Sequence, residues 1–444
     1  MGYLRLIKSA FVFLNTLRFL VSNRGDGKDV VEKIQLKKLR GELLWAWDNI
    51  PFYHSFWAKN GFNPYVDFQR LEDIQKVPYT DKETVRNHLS EMLPGNINAR
   101  SLSLVNTGGT TGMPMKFYID NYVARAKEVA YQVFVDYNYF GYRLWLDRVV
   151  IMRGYKFPQS MTDNGVYWRR DIKENALLMS SFHIKRDTYR SYLDKIRQFK
   201  PRFIRAYPSA IVSLCKYMKE EGISPIKGLR GVICSSETIY EWQRTLVKDV
   251  LGVEIYSFYG HSEKSVVAYQ TNSSKLHHFN PFYGYTEFIN SSDKHCAEDG
   301  ELGEVVVTSL DNRYFPFIRY RTGDMVKNAT EASPCRLWGL VAREIVGRKQ
   351  EYVYDKNGEA SLFLWSDEVF WGIEGIEAYQ YVQDEYGRLT LLVQSEKPLS
   401  AELRKEIYEK ARIIFQGFDI EIEQTNHIAL TKSGKFRYLV QNIR

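Results

Sequence analysis

The chain has 444 residues, 44% hydrophobic and 26% charged. That excludes collagen-like, disulfide-stapled and disordered classes and calls for two or more domains with separate cores. Its formal net charge is +8 with a sequence pI near 9.0; this favours acidic partners such as nucleotides, coenzyme A or anionic lipid, while the interleaving of acidic and basic residues gives no sign of a nucleic-acid groove.

Residues 1–25 are apolar and carry only positive charge until Asp26. The stretch is too often interrupted to span a membrane and lacks a small-residue cleavage site. On a helical wheel Leu6, Ala10, Phe13, Leu17 and Leu20 share a face, with Arg5, Lys8, Asn15 and Arg18 on the other side. Two readings stand: a basic amphipathic helix lying in an anionic membrane surface, or a helix packed on the protein's own body. Residues 27–90 read as charged helices.

"SLSLV" (101–105) reads as a strand, followed by "NTGGTTGMPM" (106–115) and a second strand at 116–119. Asp120 is placed to cap the helix that follows. Glycines in the loop allow sharp turns and let backbone N–H groups approach an anion, while threonine hydroxyls add donors. Taken alone, the loop is either a polyphosphate cradle or a flexible hairpin. It is not a Walker loop, because no Gly-Lys-Ser/Thr follows.

From 202 the chain reads strand "RFIRA", helix "PSAIVSLCKYMKEEG", strand "LRGVIC", helix "TIYEWQRTLVKDVLG" and strand "VEIYSF". Pro208 in a first helical turn and glycines at positions 222 and 252 punctuate the helices. The alternation predicts a parallel sheet with right-handed crossovers, and such sheets bind ligands beyond their carboxyl ends. "YPS" (207–209), "SSE" (235–237) and "YGHSE" (259–263) stand at those ends, so Tyr207, Glu237, Tyr259, His261 and Glu263 are expected at one crevice. From about 285 short antiparallel strands follow. "RYRTGD" (319–324) is read as a tight Thr-Gly turn ahead of Asp324, whose carboxylate suits two ribose hydroxyls.

After a break at 347–351, the remaining residues read as a small α+β unit with a hairpin over 379–394, a helix over 400–415 and a strand "IEIEQ". The expected domains are 1–346, a hinge at 347–351, and 352–444. The cysteines Cys215, Cys234, Cys296 and Cys335 fit neither zinc nor redox spacing and read as reduced thiols. His277 and His278, near Cys296, are read as packing residues rather than metal ligands.

The order of these segments resembles the adenylate-forming ligases. Those carry a Gly/Ser/Thr-rich phosphate loop, a "YGxTE" stretch, a "TGD" stretch, a "GR" hinge region and a C-terminal "GK" lysine. Here the counterparts are "TGGTTG", "YGHSE", "TGD", "GR" (347–348) and "LTKSGKFR" (430–437), spread over residues 107–437. The length and the "YPS" and "SSE" segments are most similar to the phenylacetate–coenzyme A ligase group and its CapK-type capsular-polysaccharide branch.

The resemblance implies an α/β fold: a large domain with a parallel sheet and an antiparallel region, plus a small mobile C-terminal domain. It implies ATP and Mg²⁺ as requirements, a carboxylic acid as substrate, and acyl-AMP with release of pyrophosphate. The acceptor is left open between coenzyme A and an amine or hydroxyl of a polysaccharide precursor. Thr107, Gly108, Gly109, Thr110, Thr111 and Gly112 would wrap the phosphates. Ser236 and Glu237 would line the adenine and ribose side, Tyr259 with Gly260 would meet the adenine, and Asp324, helped by Arg348, would hold the ribose. Glu263 would bind Mg²⁺. Lys435 would reach the α-phosphate, and with Glu263 and Thr110 makes up the expected catalytic set. Gln350 and Glu351 are the pivot candidates. Tyr137, Tyr207, Phe258 and His261 are the candidates for the acyl pocket. Two departures leave room for the alternative of an inactive nucleotide-binding scaffold in envelope polysaccharide assembly. Met115 stands where many relatives have lysine, and Gly108 replaces the usual second serine. The setting implied is cytoplasmic, with peripheral attachment to the membrane through residues 1–25. The acid and the oligomeric state stay open.

Overall fold

A computed structural model describes residues 2–95, 97, 101–106, 115–331, 338–348, 352–358, 360–363, 368–370, 373, 375–395, 397–431, 434 and 436–443. In chain order come α1 (Gly2–Ser22), α2 (Lys28–Asn49), α3 (Pro51–Lys59), α4 (Pro64–Asp67), α5 (Lys82–Asn87), β1 (Leu102–Asn106), β2 (Lys116–Asp120) and α6 (Val123–Val135). There follow β3 (Val149–Arg153), α7 (Gln159–Thr162), β4 (Trp168–Asp171), β5 (Ala176–Ser180), α8 (Tyr189–Phe199), β6 (Phe203–Ala206), α9 (Pro208–Glu220), β7 (Gly231–Cys234), α10 (Glu241–Leu251) and β8 (Ile255–Gly260). The next strands are β9 (Val267–Thr271), β10 (Ser274–Phe279), β11 (Gly284–Ile289), β12 (Leu302–Ser309), β13 (Tyr320–Ala329) and β14 (Val341–Arg348). The chain ends on β15 (Tyr352–Tyr354), β16 (Ala360–Leu362), β17 (Ala378–Gln383), β18 (Arg388–Gln394), α11 (Ala401–Ile414), β19 (Asp419–Thr425) and β20 (Leu439–Gln441).

The chain divides into two compact units, one of residues 1–144 and 256–345, the other of residues 145–255 and 346–444. In the first, β11, β12, β13, β14, β10, β9 and β8 lie side by side, and antiparallel pairing holds for β11–β12, β12–β13, β14–β10, β10–β9 and β9–β8. Helix α2 buries Val31, Gln35, Leu39, Leu43 and Ala46, a repeat of three to four residues that puts one stripe against the core. Two polar residues are buried with them: the Gln35 amide donates to the Pro281 carbonyl at 3.0 Å, whereas Glu42 Oε1 has no hydrogen-bond partner among the described residues. Tyr53 likewise donates to the Pro316 carbonyl at 2.6 Å. Asp120 caps α6 as expected, accepting the N–H groups of Tyr122 (2.8 Å) and Val123 (3.2 Å). Met115 is fully buried, and the Tyr320 hydroxyl reaches its sulfur at 3.9 Å, so this departure from the relatives' lysine is a core residue.

In the second unit β7, β6, β3 and β5 run parallel, and β4 pairs antiparallel with β5. The strand–helix alternation read from 202 onward is therefore present, with α9 and α10 closing at residues 220 and 251. Gly222 (φ 61°) and Gly252 (φ 70°) take the left-handed conformation there. Val150, Met152, Ile204, Ala206, Val232 and Cys234 form one sheet face and pack with apolar residues of α8, α9 and α10. The small sheet has the order β19-β18-β17-β20. β17–β18 is the expected hairpin, and α11 lays Ile407 and Ala411 into its core. β20, parallel to β17, has no counterpart in the sequence reading, because three residues carry no measurable period. Among the described residues no helix is long and apolar enough to cross a membrane.

Helix α1 packs part of its surface on the protein's own body: Leu20 is buried, the Ser9 hydroxyl reaches the Tyr122 carbonyl at 3.4 Å, and the Phe19 ring meets Phe282 edge-on. Ile7, Phe11, Leu14 and Val21 are exposed, Phe11 by 65%.

Candidate active site

In the first unit the site residues stand at the exit of β8. Tyr259 rests its half-buried ring against Phe279, and its hydroxyl donates to Asp324 Oδ2 at 2.7 Å. Asp324 itself does not follow a tight turn, as its sequence suggested, but lies inside β13. Arg321 pairs with Val306 and Met325 with Glu304, so Thr322, Gly323 and Asp324 form a bulge. The Thr-Gly pair reads like a turn because both a turn and a bulge use a glycine at positive φ, here 75° at Gly323. The Thr322 hydroxyl donates to the Val305 carbonyl at 2.7 Å and accepts the Asp324 N–H at 3.0 Å. Glu304 accepts from the Gly323 N–H at 3.2 Å and from Arg321 at 3.0 Å. Bulges re-aim a side chain at the cost of one ladder step, and here the side chain re-aimed is a carboxylate.

Two residues beyond Tyr259, His261 Nδ1 stands 3.1 Å from Glu263 Oε2, and both side chains are about nine-tenths buried. His261 Nε2 has no hydrogen-bond partner. Past Glu263 the backbone folds back through Lys264 at φ 57°, whose ammonium is ion-paired to Glu128 of α6. The Ser265 carbonyl then lies on Gly284, where a Cβ would approach it to 1.8 Å. Phe258, half-buried, pairs across the ladder with Tyr269, and Tyr137 is exposed on the π-helical turn Asp136–Phe140 that follows α6.

In the second unit the pairing Met152↔Ala206↔Cys234 sets the strand ends level, so Arg153, Tyr207 and Ser235 leave the sheet side by side, with Ser180 opposite Arg153. Ser236 is left-handed (φ 75°), a strained conformation for a residue with a side chain, of the kind that concentrates at functional sites. It aims Glu237 at the start of α9, where the Ser209 N–H (2.9 Å) and hydroxyl (3.0 Å) donate to the carboxylate. The same carboxylate accepts the Phe436 N–H at 2.8 Å. Burial pushes the phenol of Tyr207 up, with Arg153 opposing.

The C-terminal segment is docked on these strand ends. Ser181 donates to the Gly434 carbonyl at 3.1 Å, and a Cβ on Gly434 (φ 76°) would come 2.6 Å from Gly154 Cα. Gln243 donates to the Tyr438 hydroxyl at 2.9 Å. Lys216 of α9 donates to the carbonyls of Ile376 (2.9 Å) and Glu377. Burial lowers the Lys216 ammonium to about 8, against the pull of Glu377.

The residues expected at the site divide between the units: Tyr259, Gly260, His261, Glu263 and Asp324 in the first, Tyr207, Ser236 and Glu237 in the second. Thr107 to Gly112, Gln350, Glu351 and Lys435 lie outside the described residues, as does the side chain of Arg348. Both described neighbours of Lys435, Gly434 and Phe436, are held as given above. Arg153, Gly154, Ser181 and Lys216 carry no signal in the sequence, because each acquires its meaning from a strand end or helix face that only the fold brings to the segment at 434–438 or 376–377. The described thiols Cys215, Cys234 and Cys296 are free, and Cys335 lies outside the described residues. His277 Nε2 is bonded to Ser257 at 2.8 Å, and among the described residues no three His, Cys, Asp or Glu side chains cluster as a metal cage.

Residues 359–442 match the family described as the CapK C-terminal domain. Protein CapK of Staphylococcus aureus is 21% identical over 379 residues, covering 84% of this chain and 81% of that protein. Over most of its length the chain is similar to the adenylate-forming group that holds CapK and the phenylacetate–coenzyme A ligases. The phenylacetate–coenzyme A ligase of Pseudomonas putida is 28% identical over 311 residues, 67% of each chain. The adenylate-forming fold extends over nearly the whole length: a 2-hydroxyisobutyryl-CoA ligase solved in the postadenylation state superposes with a TM-score of 0.74, covering 94% of this chain and 91% of that one at 18% identity. This group is one of AMP-forming ligases.

Proposed function

We propose that the protein uses ATP to activate a carboxylic acid as its acyl-adenylate, releasing pyrophosphate, and then passes the acyl group to an acceptor. The observation that supports this reading best is the Tyr259–Asp324 hydrogen bond at the exit of β8. It sets an aromatic ring beside a carboxylate on a rigid bulge, a pairing suited to a base and the ribose hydroxyls attached to it.

Glu263 fits the single protein ligand that Mg²⁺ usually takes alongside phosphate oxygens, which does not require a cage of protein groups. In that role the ion would offset phosphate charge. Lys435 would approach the α-phosphate on the loop that Gly434 and Phe436 anchor to Gly154, Ser181 and Glu237. Thr107–Gly112 would supply loop N–H donors, and Arg348 would assist Asp324. Tyr207, Phe258, His261 and Tyr137 are proposed for the acid. Residues 352–444 would act as a mobile small domain turning at Gln350 and Glu351. Coenzyme A is the acceptor favoured by the relatives' names, with an amine or hydroxyl of a polysaccharide precursor as the second choice. ATP as substrate suits a cytoplasmic setting, and the exposed stripe of α1, flanked by Lys8 and Arg18, supports peripheral contact with anionic lipid.

The test is carboxylate-dependent ATP–pyrophosphate exchange across an acid panel. Wild type is expected to exchange in Mg²⁺, and Lys435→Ala and Glu263→Gln each to lower the rate by about a hundredfold or more. ATP binding without exchange for any acid would instead favour the inactive scaffold. Thioester formed on adding coenzyme A decides the acceptor.

A further inference from the structure

Arg153 closes β3 at the carboxyl edge of the parallel sheet, level with Tyr207 and Ser235 on the neighbouring strands. The pairing Ile151↔Arg205 and the alternation of side chains along a strand put Arg153 and Arg205 on the same sheet face. That face is opposite the one on which Met152, Ala206 and Cys234 join the core with α8, α9 and α10. Arg153 is a poorly satisfied cation. One terminal nitrogen reaches the Ser235 hydroxyl at 3.4 Å, and its Nε has no hydrogen-bond partner. No carboxylate lies within ion-pairing distance of it among the described residues. Burial depresses its pKa, and the like charge of Arg205 adds to the effect.

A half-buried guanidinium without a counter-ion keeps part of its charge from water, and proteins tolerate one where something else supplies the opposite charge. The next residue, Gly154, is the one against which Gly434 packs, one position before Lys435. The cation therefore stands at the edge where the proposed reaction takes place. It does not belong to the set assigned to ATP.

We infer that the acid activated by this protein carries, besides the carboxylate that is adenylated, a second anionic group that pairs with Arg153. A planar, five-donor guanidinium suits a carboxylate or a phosphate, which it binds bidentately. The substrate class is thus a dicarboxylic or phosphorylated acid, not a purely apolar aryl acid. This rests on the adenylation reading above and specifies its substrate.

The experiment compares matched acids: butyrate against succinate, and glycerate against 3-phosphoglycerate. ATP–pyrophosphate exchange is run with wild type, Arg153→Gln and Arg153→Lys. In parallel, the shift in melting temperature on adding each acid is measured at fixed ionic strength. Wild type is expected to prefer succinate or 3-phosphoglycerate over its monoanionic partner by about a hundredfold in kcat/KM, carried by KM, the scale of one charge-assisted pair. Arg153→Gln is expected to bring that ratio near unity, and Arg153→Lys to restore part of it. The pair that shows the preference separates carboxylate from phosphate. The melting shift specific to the acid with the second anionic group should vanish in Arg153→Gln. Exchange that ignores the second charge in wild type, or a preference and melting shift that survive in Arg153→Gln, overturns the inference and leaves adenylation standing. No exchange with any acid overturns the adenylation reading, and the melting shifts then still decide whether Arg153 binds an anion.

Discussion

The hydroxyl of Tyr259 and the carboxylate of Asp324, 65 residues apart in sequence, are joined by a 2.7 Å hydrogen bond. The bond fixes the ring's tilt against the carboxylate. Tyr259→Phe should keep the ring and free the carboxylate, raising KM for ATP by about three- to tenfold with little change in kcat. Asp324→Asn should raise it by about tenfold or more, since a charged acceptor is lost. Steady-state kinetics in ATP for the two variants and their double variant checks this; fully additive effects would show that the bond is not used.

Lys216 makes the stability of the second unit pH-dependent in a definite direction. Its ammonium is lowered from 10.5 to about 8 in the folded protein. Between those values the unfolded chain holds the proton and the folded one does not, so stability should rise with pH across that window. The upper bound for the full window is about 3 kcal/mol. Urea unfolding at pH 7, 8, 9 and 10 should show this slope in wild type and a flatter one in Lys216→Met.

Gly434 is where the docking of the C-terminal segment should be most easily broken. Its φ of 76°, and the 2.6 Å at which a Cβ would meet Gly154, both oppose any side chain. Gly434→Ala is expected to lower ATP–pyrophosphate exchange by about tenfold to a hundredfold, because the Lys435 loop is displaced from its seat. Exchange at the wild-type rate would show that the seat is not needed for chemistry.

The exposed stripe of α1 predicts binding to anionic bilayers. Ile7, Phe11, Leu14 and Val21 recur along the helix, with Lys8 and Arg18 beside them and no acidic residue before Asp26. Two copies of this helix would bring like charges together, whereas an anionic lipid surface would neutralise them. Co-sedimentation with phosphatidylglycerol vesicles should exceed that with phosphatidylcholine vesicles and fall with salt. It should be lost in Phe11→Glu/Leu14→Glu. A salt-insensitive dimer that ignores vesicles would refute the idea.

Much of the architecture is legible in the sequence because it rests on period and punctuation. The strands and helices from 202 to 258 carry clear apolar repeats and end on prolines and glycines, and the order of "YGHSE" and "TGD" along the chain carries the resemblance to the adenylate-forming ligases. The bulge at Asp324 reads as a turn because its local chemistry is that of a turn; only the ladder on both sides distinguishes them. Arg153 is invisible for a different reason. An arginine in "VVIMRGYK" looks like any strand-end charge until the fold shows no acid pairing with it among the described residues. Glu237 is expected beside a ligand, and its hydrogen bonds to Ser209 and Phe436 show a further use that no spacing encodes.

That last carboxylate has an energetic consequence for any motion of the C-terminal segment. Two of its donors belong to Ser209, in the same rigid layer, and one belongs to Phe436. When the segment lifts away, Glu237 would lose the Phe436 N–H and keep both Ser209 donors, so the carboxylate would stay hydrogen-bonded. Among the contacts that seat the segment, this one would therefore be cheap to break and to re-form.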